Sequence, residues 1–237
     1  EEFGARARKW PVSPQGTTLS VGITHPDGER TFFTTRGHLP RFSLADVLAV
    51  LDGKKLAGGW ALLGGAFLTD DLTADYPAFF DWADAHGIAV ALDTGWPMQG
   101  WTAANREAVR GWLSRCTLAL FNEVETTTLT GRDDVAEAAL ALRAGMRKEA
   151  LVVVKRGPEG ALAIGADGAV VLAPAPRVEV VDTIGAGDVF NAAFLAALAR
   201  GRALAECLAT GVATASCAIS TRPRSYGGPL PSEEPTA

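Results

Sequence analysis

The chain has 237 residues, of which 48% are hydrophobic and 21% are charged, a composition typical of globular proteins. Its formal net charge of −5 argues against a broadly basic surface that would attract nucleic acid or an anionic membrane. We expect neither a transmembrane helix nor a signal peptide, because no apolar run reaches roughly 18 residues. The three cysteines, Cys116, Cys207 and Cys217, have the spacing of neither a disulfide framework nor a zinc site. These features predict one domain, located in the cytoplasm.

A β-hairpin is the first element predicted along the chain. Residues 17–23 and 30–35 are rich in β-branched and aromatic side chains, and the sequence His25-Pro26-Asp27-Gly28 between them favours a turn. A hairpin of this size is too small to fold alone. We therefore expect residues 17–35 to form a lid that rests on a larger domain.

From Gly59 onward, short apolar strands alternate with amphipathic helices. Continuous apolar runs such as residues 88–92 and 151–154 are typical of strands buried on both faces of a parallel sheet. The predicted strands are residues 60–63, 88–92, 117–121 and 151–155, and the predicted helices are residues 74–85, 104–113 and 135–146. This alternation predicts an α/β fold with a Rossmann-like, doubly wound, mostly parallel sheet and right-handed crossovers.

The segment with the clearest chemical signature is VDTIGAGDVFN at residues 181–191. Gly185 and Gly187 let the backbone approach a ligand closely because they carry no Cβ. A predicted strand at residues 178–181 leads into the segment and a predicted helix follows, so the amides at the helix start can bind an anion. A carboxylate at Asp188 would repel that anion, and this electrostatic cost points to a functional reason for Asp188, such as accepting a proton from an attacking hydroxyl. The alternative is that Asp188 is simply the N-cap of the helix.

The sequence DTIGAGD at residues 182–188, followed by Phe190, resembles the second signature of the ribokinase-like, or PfkB, family of carbohydrate kinases. Other motifs occur in the family's order. The segment Asp27 to Phe32 resembles the family's lid strands, and Glu2-Phe3-Gly4 resembles a helix start that follows its sugar-binding segment. The resemblance covers nearly the whole chain and implies a single ribokinase-like α/β domain over residues 1–237.

Two further motifs lie between these segments. Asn122-Glu123-Val124-Glu125 resembles an Asn-x-x-Glu motif that helps to place magnesium and phosphate, and residues 155–160 (KRGPEG) resemble a turn beside the nucleotide. Each has a simpler alternative. Asn122 and Glu125 could be a helix cap and a first-turn acid, and residues 155–160 could be a plain hairpin turn.

The family resemblance implies ATP-dependent phosphorylation of a hydroxyl group. Asp188 would be the general base, and the amides of Gly185, Ala186 and Gly187 would stabilise charge on the transferring phosphoryl group. The residues implied in nucleotide binding are Asn122, Lys155, Gly157, Gly160 and Thr183.

The resemblance also implies ions and partners. Glu125 would hold Mg²⁺, mainly through water, while Asp182 and the carbonyl of Ile184 match positions that form a monovalent-cation (K⁺) site in some relatives. The expected partners are a small sugar and ATP, with neither nucleic acid nor membrane. Hairpin lids of this kind often pair between subunits, so a homodimer is also expected.

Several departures from the family pattern bear on the substrate. The chain begins where relatives have already supplied their first strands and sugar site, and the link at Trp10-Pro11 is short. Residues 93–97 (DTGWP) differ from the Asp-Pro-Asn-x-Arg segment of 2-keto-3-deoxygluconate kinases, which weakens that substrate. Residues 221–228 (TRPRSYGG) replace a common Gly-Ala ending, which puts the cation site in question.

Three hypotheses about function follow from these motifs. The favoured one is a sugar kinase, with a nucleoside kinase of the same family as the second. The third is a non-catalytic sugar- or nucleotide-binding protein, against which the intact Asp188 argues. Trp96 and Trp101 could stack on a sugar ring or could simply pack together.

Overall fold

The computed structural model of the chain describes residues 12–25 and 30–227. These residues divide into two units, one that ends at Arg115 and one that begins at Cys116. Three features noted in the sequence lie outside the described residues: the motif Glu2-Phe3-Gly4, the link Trp10-Pro11 and the turn residues Pro26-Asp27-Gly28.

The predicted hairpin is present in the first unit as a small antiparallel sheet. Strand β1 (Leu19–Thr24) pairs with β2 (Arg30–Thr35), with Val21 opposite Phe33. Since side chains alternate across a strand, Leu19, Val21 and Phe33 share one face, and all three are exposed. One face of this sheet is therefore apolar.

From Gly59 to the end of the first unit, strands and helices alternate as predicted, and a helix at residues 44–50 that was not predicted precedes them. The two strands of this segment, β3 and β4, are parallel. The elements are α1 (Leu44–Val50), β3 (Trp60–Gly64), α2 (Asp70–Ala74), α3 (Tyr76–Ala85), β4 (Ala89–Asp93) and α4 (Ala103–Leu113).

The prediction of one helix over residues 74–85 was wrong at its start. Helix α2 ends at Ala74 and α3 begins at Tyr76, with Asp75 between them. Pro77 lies in the first turn of α3. Proline is accommodated in a first helical turn but has no amide to continue a preceding helix, so the chain starts a new helix here.

As far as residue 227, the second unit contains four strands. β5 (Leu118–Asn122) and β6 (Leu151–Lys155) are parallel, and β7 (Ala161–Ile164) and β8 (Val170–Ala173) extend the sheet with antiparallel pairings. The middle residues of β5, β6 and β7 are buried, as expected for strands covered on both faces. The chain as a whole has the predicted α/β fold class, with a mostly parallel central sheet and a small antiparallel sheet, the hairpin of β1 and β2.

The helices in the described part of the second unit are α5 (Glu123–Thr130), α6 (Val135–Ala144), α7 (Ala186–Ala199) and α8 (Leu204–Ser220). Helix α6 ends two residues before the predicted Met146. Helices α7 and α8 approach closely, since a Cβ added to Gly211 would lie 2.8 Å from Cε2 of Phe190. No helix in the described part of the chain is long and apolar enough to cross a membrane.

The strand predicted at residues 178–181 is absent, because these residues have no strand neighbour in the described part of the chain. Val178, Val180 and Val181 are exposed, and the segment from residue 174 to 180 has no regular structure. The amides of Val181 and Asp182 instead donate to the carbonyl oxygen of Ile219 near the end of α8, at 2.8 and 3.1 Å. Helix α8 therefore supplies the hydrogen bonds that a neighbouring strand was expected to give.

Candidate active site

A tight turn leads into helix α7. Gly185 occupies the N-cap position in the left-handed region, with φ 73° and ψ 9°, and no side chain caps the helix there. The Ile184 amide donates to Oδ1 of Asp182 at 2.9 Å, and the Ala186 amide donates to the carbonyl oxygen of Thr183 at 3.1 Å. The sequence folds this way because glycine tolerates positive φ and aspartate readily accepts a bond from an amide two residues later.

Asp188 is the third residue of α7 and is exposed. The alternative that Asp188 caps this helix is wrong, because Gly185 holds that position. Amides in the first turn of a helix have no intrahelical acceptor and carry the positive end of the helix dipole. The Ala186 amide already binds Thr183, so an incoming anion would meet mainly the amides of Gly187 and Asp188.

Asn122 and Glu125 form a reciprocal capping box at the start of α5. Oδ1 of Asn122 accepts the Glu125 amide at 2.8 Å, and Oε2 of Glu125 accepts the Asn122 amide at 2.8 Å. The simpler alternative for this pair, a helix cap, therefore describes its contacts. Its role toward phosphate or magnesium remains a prediction.

Glu125 offers the kind of oxygen that Mg²⁺ prefers, in a side chain that is only 4% exposed. The described residues contain no group of three or more His, Cys, Asp or Glu side chains arranged to hold a metal ion. A magnesium ion near Glu125 would thus take its remaining ligands from water and phosphate, the usual arrangement for this ion.

Lys155, the last residue of β6, lies beside the start of α7. Its Nζ donates to Oδ1 of Asn191 at 3.2 Å, and a Cβ added to Gly187 would lie 3.5 Å from the same nitrogen. Asn191 is buried and follows Asp188 by three residues, so both lie on one side of the helix. Sequence reasoning identified Lys155 and missed Asn191, although helical spacing from Asp188 was a usable signal.

Two glycines shape the turn after Lys155. Gly157 has φ 54° and begins a short 3₁₀ turn, Gly157–Glu159, that ends at Gly160. Gly160 has φ 90°, and a Cβ there would lie 2.0 Å from the carbonyl oxygen of Ala173. Only glycine fits this position, so the two predicted glycines set the path of the backbone.

Two cavities in the second unit share Lys155 and Gly157. The larger has a volume of about 620 Å³, within the range of ligand sites, and includes Thr183 and Gly187 in its wall. Most of its remaining wall is apolar, formed by Val178, Val180, Phe190, Val212 and Ile219 among others. The smaller cavity, of about 470 Å³, is lined by Asn122, Lys155 and Arg156 and is more polar.

Arg224 is a second residue that sequence reasoning missed. Its Nη1 donates to the carbonyl oxygen of Ile184 at 2.6 Å, and its Nη2 donates to Oδ2 of Asp182 at 2.9 Å. These oxygens are the ones that the resemblance assigned to a monovalent cation. Because a guanidinium group already binds them, they do not fit an additional cation. The signal in the sequence was the unusual ending at residues 221–228.

Trp96 and Trp101 lie in the first unit. Their ring centroids are 6.1 Å apart in an edge-to-face contact, and Trp101 makes a similar contact with Phe67. Trp96 is exposed, with 54% of its surface accessible. The packing alternative thus describes Trp101, while the Trp96 ring retains an exposed surface.

An α/β sheet with a glycine turn at a helix N-terminus belongs to the class of folds that bind phosphate groups at helix starts. The family profile described as "pfkB family carbohydrate kinase" matches residues 8–227. The chain belongs to this family of carbohydrate kinases.

Individual relatives match parts of the chain. A cytidine kinase from Thermococcus kodakarensis is 39% identical over 110 residues, which are 45% of this chain and 38% of that protein. A 1-phosphofructokinase from Haloferax volcanii is 44% identical over 100 residues, which are 40% of this chain and 32% of that protein. The chain thus spans about a third of the length of these curated relatives.

Solved structures share the fold. Adenosine kinase from Sinorhizobium meliloti superposes with a TM-score of 0.72 at 23% identity, covering 89% of this chain and 63% of that one. Arabidopsis thaliana ribokinase in complex with ribose and ATP gives a TM-score of 0.70 at 24% identity, covering 88% and 65%. At these identities the likeness establishes the fold.

Proposed function

We propose that the protein transfers the γ-phosphoryl group of ATP to a hydroxyl group of a small carbohydrate. The observation that carries the proposal is the position of the Lys155 ammonium group at the first turn of α7, the turn that also bears Asp188. A cation, unpaired helix amides and an exposed carboxylate at one helix terminus are the groups that phosphoryl transfer uses for charge stabilisation and proton removal.

The two cavities suggest how the nucleotide binds. The base and ribose of ATP would occupy the larger, mainly apolar cavity, bordered by Gly157, Gly160 and Thr183. Its phosphates would extend past Lys155 to the amides of Gly187 and Asp188, while Gly185 and Ala186 shape the turn that presents these amides.

The chemical step assigns one task to each group. Asp188 accepts the proton of the attacking hydroxyl as its oxygen bonds to the γ-phosphorus and the bond to the ADP oxygen breaks. The helix amides and Lys155 stabilise the negative charge on the phosphoryl oxygens. When bound, Mg²⁺ would neutralise phosphate charge, with Glu125 holding it through water and Asn122 positioning phosphate.

A nucleoside acceptor is the second candidate. It is favoured by the similarity to a cytidine kinase, the relative quoted above at 39% identity. A binding protein without activity is less well supported, since Asp188 would only weaken the binding of an anion there.

The proposal is tested by ADP release from Mg-ATP, with a panel of sugars, sugar acids, sugar phosphates and nucleosides. We expect release that depends on one class of acceptor and falls by about 10²–10⁴-fold in Asp188→Asn. ATP affinity in this variant stays equal or rises, because a negative charge beside the phosphates is removed.

Glu137→Gln is the matched control, because Glu137 is also in the first turn of a helix, α6, and is exposed. The Glu137→Gln variant loses the same kind of favourable interaction between a carboxylate and a helix dipole, but it should keep the wild-type activity. Near-normal turnover in Asp188→Asn would overturn the assignment of the base. ATP binding without ADP release from any acceptor would instead favour the binding protein.

A cytoplasmic location and a homodimer remain expectations. The exposed apolar face of the hairpin, with Leu19, Val21 and Phe33, supports a dimer formed through this sheet. Sedimentation of the wild-type chain and of Phe33→Ser would test it, with a monomeric wild type as the contrary result.

A further inference from the structure

We propose that Arg224 is a built-in cation that replaces a bound monovalent ion at the turn of residues 182–185. The inference predicts that phosphoryl transfer needs no K⁺, and this consequence rests on the proposed kinase function. The placement of Arg224 itself rests only on contacts within the second unit.

The guanidinium group binds three oxygens of the turn. Nη1 donates to the carbonyl oxygen of Ile184 at 2.6 Å, and Nη2 donates to Oδ2 of Asp182 at 2.9 Å and, more weakly, to its carbonyl oxygen at 3.4 Å. The Arg224 side chain is 25% exposed, so most of its surface is removed from water. A planar, permanently charged fork suits such a set of fixed oxygens better than a flexible ammonium group does.

The same turn is anchored from the end of helix α8. The carbonyl oxygen of Ile219 accepts the amides of Val181 and Asp182, and the hydroxyl of Thr221 accepts the amide of Ser225 at 2.7 Å. The segment that carries Arg224 is thereby folded back from the end of α8 toward the turn. The turn is thus held by backbone bonds on one side and by a charged side chain on the other.

Space and charge both argue against a second cation at these oxygens. A Cβ added to Gly185 would lie 3.5 Å from Nη1 of Arg224, so the guanidinium group packs against the turn itself. A metal ion bound to Oδ2 of Asp182 and the Ile184 carbonyl would have to displace Arg224 or lie against its positive charge. One cation or the other can occupy the position.

By holding the turn, Arg224 also positions the amides of α7 that would bind phosphate. The turn of residues 182–185 sets the direction in which α7 begins, and a small displacement of catalytic groups can cost about 100-fold in rate. Arg224 is a positioning residue in this account, since it contacts the turn rather than the reacting groups. Its effect should therefore appear in kcat more than in the KM of the acceptor.

The first experiment compares rates in K⁺, Na⁺ and tetramethylammonium salts at constant ionic strength, using the full chain and the acceptor found above. The wild type is expected to show the same kcat in all three. Arg224→Ala should lose about 10- to 100-fold in kcat and recover part of it in K⁺ or in guanidinium salt, though not in tetramethylammonium. Arg224→Lys should be intermediate, because it keeps the charge without the fork.

Arg132→Ala is the matched control. Arg132 also pairs with a carboxylate in the second unit, that of Glu137 at 3.4 Å, but both side chains are at least half exposed. Such surface pairs contribute little, so this variant should behave as the wild type in every salt. A wild type that requires K⁺, or an Arg224→Ala variant that no cation rescues, would overturn the proposal.

A second readout does not depend on catalysis. The thermal unfolding midpoint of the protein without substrate is measured in the same three salts. K⁺ should raise the midpoint of Arg224→Ala and leave that of the wild type unchanged, since an ion stabilises only a chain with a site for it. If Arg224→Ala does not fold, Arg224→Gln takes its place, because glutamine is also uncharged and leaves the position open to K⁺. If no acceptor gives activity, the proposed kinase function fails, but the unfolding measurement still tests the role of Arg224. A wild type that is stabilised specifically by K⁺ would refute the proposal that Arg224 replaces the ion.

Discussion

The Nζ atom of Lys155 donates a hydrogen bond to Oδ1 of Asn191 at 3.2 Å, which ties the end of strand β6 to helix α7. Lys155 also lines both cavities of the second unit that are described above. The bond restrains the lysine side chain before any ligand arrives, which lowers the side-chain entropy lost on binding.

Lys155→Met is expected to weaken ATP binding by roughly tenfold or more, because hydrogen bonds to a charged group contribute about 1.5–3 kcal/mol. Calorimetric titration with Mg-ATP measures the change. Lys148→Met is the control, since Lys148 is an exposed lysine of the same unit. Equal ATP affinity in the two variants would remove Lys155 from the nucleotide site.

Gly185→Ala tests whether the backbone of the turn matters for activity. At φ 73° an alanine costs about 1–2 kcal/mol, while its Cβ would meet nothing closer than 3.5 Å. Gly201→Ala is matched to it, because Gly201 has φ 72° and no described atom lies within 4 Å of an added Cβ. We expect similar losses of unfolding free energy in denaturant titrations but a lower kcat only in Gly185→Ala. Equal kcat values would show that the turn tolerates distortion.

Gly211→Ala is expected to destabilise the second unit by about 1–3 kcal/mol, because its Cβ would press against the buried ring of Phe190. The ring also lines the larger cavity, so ATP affinity should fall as well. Gly111→Ala in α4 gives the opposite expectation, a gain of about 0.5–1 kcal/mol, since its Cβ would meet no described atom within 4 Å. Urea denaturation of both variants measures the difference, and a stable Gly211→Ala would mean that α7 and α8 can separate.

The thiol of Cys207 is expected to resist alkylation. Burial raises the pKa of Cys207, with the nearby carboxylate of Glu206 adding to the effect, so the reactive thiolate is scarce near pH 8. Because this pKa is higher in the folded chain, the group favours folding below the unfolded pKa of about 8.5 and loses that contribution as the pH rises. Iodoacetamide labelling of the folded protein, followed by mass spectrometry, should show Cys217 reacting first. Faster reaction at Cys207 would contradict the burial.

Much of the fold follows from local sequence patterns. Strand β6 has the predicted bounds, residues 151–155, because its valines form a continuous apolar run between a loop and a lysine. Residues 178–181 (VEVV) are also rich in β-branched side chains and yet make no strand, since a strand also needs a neighbour with which to pair. The presence of that neighbour is a tertiary property that a local pattern does not contain.

Some residues of the candidate site could likewise be predicted from local sequence, and others could not. Gly185, Gly187 and Asp188 lie within one short motif, so the sequence predicts that they share a helix terminus, as the structure shows. Arg224 follows Ile184 by 40 residues, and its contact depends on where helix α8 ends. The sequence indicated only that residues 221–228 depart from the family pattern.

The distance along the chain between Ile184 and Arg224 has a consequence for how the protein is made. The ribosome synthesises Ile184, in the turn of residues 182–185, 40 residues before Arg224, the arginine that binds its carbonyl oxygen. A nascent or proteolysed chain that stops before Arg224 keeps Lys155 and Asp188 but has no guanidinium group at the turn. Under the proposed function, such unfinished copies would transfer phosphoryl groups more slowly, because the turn has no built-in cation until the segment beyond α8 has left the ribosome.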